Sequence, residues 1–118
     1  MRFFSALLLV VAGCTAAGNY SPVTLTAQDN VMVDRAFRIG LLDPLAAQVE
    51  DIKVFVNPEG NRIVCGKVNS KNAFGGYVGF QTFIVQTLPS LDYSQPNINP
   101  IFGLGAIAQI DCGGAGYQ

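Results

Sequence analysis

Between Asp51 and Leu88 the chain reads as three successive β-strands separated by turn-forming residues, and this pattern limits its folds more than any other feature. Ile52, Val54 and Val56 alternate with Lys53 and Phe55, the two-residue period of a strand. Asn57-Pro58-Glu59-Gly60-Asn61 is a turn, because Pro fixes its own dihedral angle and Gly and Asn accept positive ones. The spacing predicts a second strand, Arg62 to Asn69, returning antiparallel, then a polar loop Ser70-Lys71-Asn72-Ala73. Tyr77 to Leu88, rich in β-branched and aromatic residues, is expected to be a central strand.

Upstream, Val33, Ala36, Phe37, Gly40 and Leu41 follow helical spacing, with Asp34, Arg35 and Arg38 on the other side. Asp29 or Asn30 is the expected cap, Asp34 and Arg38 form an i, i+4 pair, and Asp43-Pro44 ends the helix or opens a short turn. After Pro89 the chain is rich in Pro, Gly and Asn; Leu104 to Ile110 reads as a last strand and Gly113 to Gly116 as a fraying end. The expected fold is α+β: one N-terminal helix packed in two layers on a three- to four-stranded antiparallel sheet. A single domain over 29–118, preceded by a tether over 14–28, accounts for the whole pattern.

Residues 1–13 have the order of an export signal: Arg2, then an apolar run from Phe3 to Gly13 broken only by Ser5. The run has 11 residues, short of the roughly 20 a spanning helix needs. Val11-Ala12-Gly13-Cys14 resembles the lipobox of bacterial lipoproteins, which implies acylation of Cys14 and attachment to a membrane through lipid. Thr15 in place of Asp after that Cys implies the periplasmic face of the outer membrane. The alternative is ordinary cleavage after Ala16 or Ala17 and a soluble periplasmic or secreted protein. Cys65 and Cys112 remain, an even pair that in an exported chain forms a disulfide, the competing state being two reduced thiols.

The 118 residues include no His, which removes Ser-His-Asp and Cys-His activation and the commonest transition-metal ligand. No cofactor and no metal site are expected. A formal net charge of -1 gives no cationic field for nucleic acid. The 8 Asn and 7 Gln equal the 7 basic and 8 acidic residues in number, so amides supply much of the polarity that charge provides in a typical domain. Gly60 to Lys67 fails the P-loop spacing, Gly103-x-Gly105-x-x-Ala108 lacks room for a following βαβ unit, and Glu50 and Asp51, as strand neighbours, point to opposite faces unless the backbone is irregular. The expectation is a protein that is not an enzyme.

The most distinctive stretch is Val64 to Phe83, VCGKVNSKNAFGGYVGFQTF. With Leu42-Asp43-Pro44-Leu45-Ala46-Ala47 upstream and a later Cys, it resembles a group of small uncharacterised bacterial exported proteins and lipoproteins; the resemblance covers about Asp29 to Val85 plus Cys112 and implies no particular activity. Structurally the stretch is a bulged hairpin whose rings Phe74, Tyr77, Phe80 and Phe83 are shared between the core and the opposite face. Functionally it is a candidate recognition loop in which Lys71, Asn72, Phe74 and Tyr77 meet an envelope protein or component. Two roles fit: a contact module of the cell envelope, or a small inhibitor or exclusion factor that plugs a lysozyme-like enzyme or a phage receptor.

Overall fold

The computed structural model describes residues 19–118; the signal segment and Cys14 lie outside the described residues. Five strands, β1 (Ser21–Val23), β2 (Gln48–Val56), β3 (Arg62–Lys71), β4 (Tyr77–Thr87) and β5 (Ile101–Leu104), form one antiparallel sheet in chain order. Among the described residues, the helices α1 (Ala27–Gly40) and α2 (Ala106–Ala115) and a 3-10 turn (Pro44–Ala46) accompany the sheet. The expected helix and central strands are present, but the sheet has five strands rather than three or four. The segment read as a tether supplies Ser21–Val23 to the sheet edge and Thr26 to the helix cap.

Helix α1 starts earlier than its apolar stripe suggests. Thr26 is the cap, not Asp29 or Asn30: its hydroxyl accepts the Asp29 N–H at 3.2 Å, and the Asp29 carboxylate accepts the Thr26 N–H at 2.8 Å. Asp29 is itself buried and receives two hydrogen bonds from the Arg62 guanidinium, at 2.6 and 2.8 Å, so one carboxylate both caps α1 and ties it to β3. The predicted Asp34–Arg38 pair forms at 2.9 Å on the exposed side. Downstream, Leu41 is extended and Pro44 opens the 3-10 turn.

The alternation along the strands sends two apolar sets to opposite faces. Val54, Val64, Val68, Phe83 and Val85 face α1 and pack against Met32, Val33, Ala36 and Phe37, with Phe37 edge-on to Phe83 at 5.1 Å between centroids. Phe55, Ile63, Cys65 and Ile84 face the other way and are covered by Ala108, Cys112, Ala115 and Tyr117. The molecule is therefore three-layered, helix on sheet on helix, and the two-layer expectation is corrected. The physical reason is that Leu104 to Ile110 is not a last strand. Gly105, with φ of +79°, turns the chain out of β5, and Ala108 and Cys112, four apart on α2, are the positions it buries on the sheet.

Cys65 and Cys112 are joined, with Cα atoms 6.0 Å apart and no side-chain exposure, so the disulfide staples the middle of β3 to α2. The expected fraying end is also corrected: Gly116 caps α2 with φ of +111°, and Tyr117 is buried beyond it.

Pairing is uneven along the sheet. β1 covers only Val54 to Val56 of β2, and β5 covers only Phe83 to Gln86 of β4. Both short strands lie toward the end marked by Val56, Arg62 and Thr87. The other end, where β3 and β4 turn into each other, has three strands, and among the described residues no strand pairs with the outer side of β2 or β4 there.

Candidate functional site

The β3–β4 tip is built by asparagine side chains that take the place of missing ladder bonds. Asn72 closes the turn through its own backbone, its N–H donating to the Gly76 carbonyl at 2.8 Å and its carbonyl accepting the Gly75 N–H at 3.0 Å. Its side-chain Oδ1 accepts the Phe74 and Gly76 N–H groups at 2.9 and 3.1 Å, an arrangement that fixes the turn from inside. One step along, Val78 and Gly79 lie opposite Ser70 as a bulge, and the Gly79 N–H, with φ of +100° at that residue, donates to Asn69 Oδ1 at 2.8 Å.

The four residues singled out in the sequence divide into three roles. Asn72 shapes the turn and has its oxygen occupied. Tyr77 ties the tip to the rest of the domain, its hydroxyl donating to the Ala46 carbonyl in the 3-10 turn at 2.9 Å. Lys71 Nζ stands 5.3 Å from the Tyr77 ring centroid, within cation–π range. Phe74 points away from all of this and is 96% exposed. Of the four rings expected to be shared between core and surface, only Phe83 is in the core; Phe74, Tyr77 and Phe80 are all exposed.

Tyr77 also brings in two leucines that the sequence analysis placed in the upstream motif but not in the recognition loop. Leu45, in the 3-10 turn that the Tyr77 hydroxyl holds, is 89% exposed, and Leu42 just before it is 74% exposed. The available signal was two leucines flanking Asp43-Pro44, a turn too short to bury them. The result is an apolar end with the Lys71 ammonium over the Tyr77 ring beside it. What it presents is apolar area, one ammonium beside the Tyr77 ring, and a turn whose backbone is held by Asn72.

A second cluster lies on the α2 face. Asp51, with φ of +57°, and Ile52 oppose the single residue Gly66, which is the irregular backbone the Glu50–Asp51 pair required. The bulge frees the Asp51 carbonyl to accept the Tyr117 hydroxyl at 2.8 Å, while Lys53 and Lys67 stand 5.8 and 5.9 Å from the Tyr117 ring centroid. Burial, then the Asp51 carboxylate and its hydrogen bond, and then Glu50 push the Tyr117 phenol up to about 12. It is a protonated donor at neutral pH and works as a latch for the C-terminal residues rather than as a proton shuttle.

At the far end of the sheet a cleft of about 410 Å³ opens between α1 and the β4–β5 loop, lined by Asp29, Met32, Arg62, Leu88, Pro89 and Tyr93 among others. Its charged groups, Asp29 and Arg62, are already satisfied by each other. Among the described residues, no three side chains of His, Cys, Asp or Glu come together in a metal-binding group, and no helix is long and apolar enough to cross a membrane. Comparison with protein-family models, with curated proteins and with solved structures yields no match to this chain.

Proposed function

We propose that this protein is a non-enzymatic bacterial cell-envelope lipoprotein, anchored through lipid on Cys14 at the periplasmic face of the outer membrane, that acts by contact through its β3–β4 tip. The observation that carries the reading is Phe74: a ring 96% exposed on a turn whose backbone is held by Asn72. A large ring held in water on a preorganised turn supplies about 1.5–3 kcal/mol of unused burial and loses little freedom on docking. Rigid aromatic anchors of this kind dominate the energetics of protein interfaces.

The chain direction supports the same reading. Ser21 pairs with Val56, so the residues leading from Cys14 enter at the end of the sheet away from the tip. The seven positions from Cys14 to Ser21 reach about 25 Å at most. β3, at about 3.4 Å per residue, carries the tip roughly 30 Å beyond that entry point. With the lipid at Cys14, this entry point favours a tip directed into the periplasm. The narrower role of inhibitor or exclusion factor is favoured by one detail, a single ring standing clear of its neighbours, which suits insertion into a partner's pocket.

Two measurements test the proposal. The intact mass of the mature protein must include acyl chains on Cys14; a mass without them removes the anchor. A photo-crosslinking residue placed at Phe74 in living cells is expected to give a discrete protein adduct that the same residue at Ile39, exposed on α1, does not. Equal labelling from both positions would retire the tip as the contact surface.

A further inference from the structure

We infer that the side of α2 carrying Ile107 and Ile110, together with Ile101 of β5, rests on the surface of the bilayer that holds the lipid on Cys14. The inference builds on the lipid reading above and adds which surface of the domain meets the membrane. Helical spacing divides α2: Ala108, Cys112 and Ala115 turn inward to the sheet, while Ile107, Ile110, Asp111 and Gly114 share an adjoining side. Ile107 is 67% and Ile110 73% exposed. On β5, Phe102 packs toward α1, so Ile101, one residue earlier, turns to the α2 face opposite Gln86 and is about half exposed. Gly103 lies on that same face, where a Cβ would stand 4.0 Å from Ile107 Cγ2. The three isoleucines therefore border one apolar surface.

The place where the tethered chain joins the domain identifies what covers this surface. Tyr20 lines one cleft of about 430 Å³ with Ile63, Gln86, Ile110, Asp111 and Gly114. Ile63 pairs with Gln86, one row from the Arg62–Thr87 end, so the cleft lies at the entry end of the sheet. Six positions separate Cys14 from Tyr20, a reach of at most about 22 Å. A lipid on Cys14 thus holds Tyr20, and the isoleucines around its cleft, within that distance of the bilayer. The other surface at this end is the turn Asn57-Pro58-Glu59-Gly60-Asn61, which is polar and gains nothing by leaving water. Large aliphatic side chains on one side of a helix, with a tyrosine beside them, suit the boundary between headgroups and acyl chains. Asp111 is the one ionised side chain among these α2-side residues, so the contact is apolar and draws nothing from anionic headgroups. In this orientation the β3–β4 tip stays at the end away from the membrane.

The chain contains no Trp, so a single introduced Trp reports its own surroundings. The test uses residues 14–118, oxidised, which hold every described strand, both helices and the disulfide. Cys14 then carries the one free thiol and is coupled to a maleimide phospholipid in phosphatidylcholine vesicles, which supplies the anchor whether or not cells acylate the chain. With dibrominated phosphatidylcholine as quencher, Ile107→Trp is expected to lose at least about half of its emission, as a side chain at interfacial depth does. Phe74→Trp at the tip and Val31→Trp, exposed on α1, are expected to lose little. All three sites are exposed, so the fold tolerates the reporters. Replacing half of the phosphatidylcholine with phosphatidylglycerol is expected to leave the Ile107→Trp quenching no stronger. An Ile107→Trp emission untouched by brominated lipid, quenching as strong at Val31→Trp, or quenching that deepens with phosphatidylglycerol overturns the inference. The lipid reading is decided separately, by the intact mass of the protein from cells.

Discussion

At the scale of single residues, close approach and hydrogen bonding decide what each position tolerates. Gly66 lies under the Phe83 ring, and a Cβ there would meet ring carbons at 2.6 and 2.8 Å. Gly66→Ala is therefore expected to lose about 1–3 kcal/mol in denaturant unfolding, since Phe83 is fully buried and has no free direction to move. Phe74→Ser, by contrast, is expected to leave the unfolding midpoint within about 0.5 kcal/mol of wild type, because the ring touches little that is folded. Tyr117 gives a signed pH effect. Its pKa in the folded chain is raised from 10.0 to about 12. The stability it contributes is complete below pH 10 and is lost as pH climbs through its folded value. Tyr117→Phe should cost about 1 kcal/mol at neutral pH and flatten the alkaline decline, measured by urea titration between about pH 9 and 12.

At the scale of elements, the start of α1 concentrates the most interactions. Burial raises the Asp29 carboxyl, but hydrogen bonds from Arg62 and Thr26 and the Arg62 charge outweigh it and hold the pKa below its ordinary 3.8. That contribution is present above the unfolded-state value and vanishes as pH falls through the lower folded one. Asp29→Asn is expected to lose about 2–4 kcal/mol at pH 7 and to make the remaining stability less sensitive to acid below about pH 4. This element also marks what was legible in the sequence. The stripe from Val33 to Leu41 and the alternation from Ile52 to Val56 are local periodicities, and both elements formed as expected. Thr26 was missed because the apolar stripe begins several residues after the helix does, and Asp29 was read as a cap when its main partner is Arg62 on another element. α2 was missed for a related reason: Ala108 and Cys112 fit helical spacing, but the surrounding glycines suit neither helix nor strand, and only burial against Phe55 and Ile84 selects the helix. At the tip, Lys71, Asn72, Phe74 and Tyr77 are recognisable by type, whereas the bond by which Tyr77 reaches Ala46 and gathers Leu42 and Leu45 beside it is a contact no spacing rule encodes.

At the scale of the whole molecule, one covalent link holds the third layer in place. The Cys65–Cys112 bond closes a separation of 47 residues. In the loop-entropy description such a closure is worth about 4 kcal/mol, so the Cys65→Ala/Cys112→Ala double variant should lose roughly that amount in thermal or denaturant unfolding. Hydrogen exchange is expected to locate the loss first in α2, which has few partners besides β3, β4 and β5. The position of the bond also makes sulfur chemistry the guard of one surface. Ile63 and Ile84 flank Cys65 beneath α2, so once the sulfurs are reduced the lid over that surface is held by noncovalent packing alone.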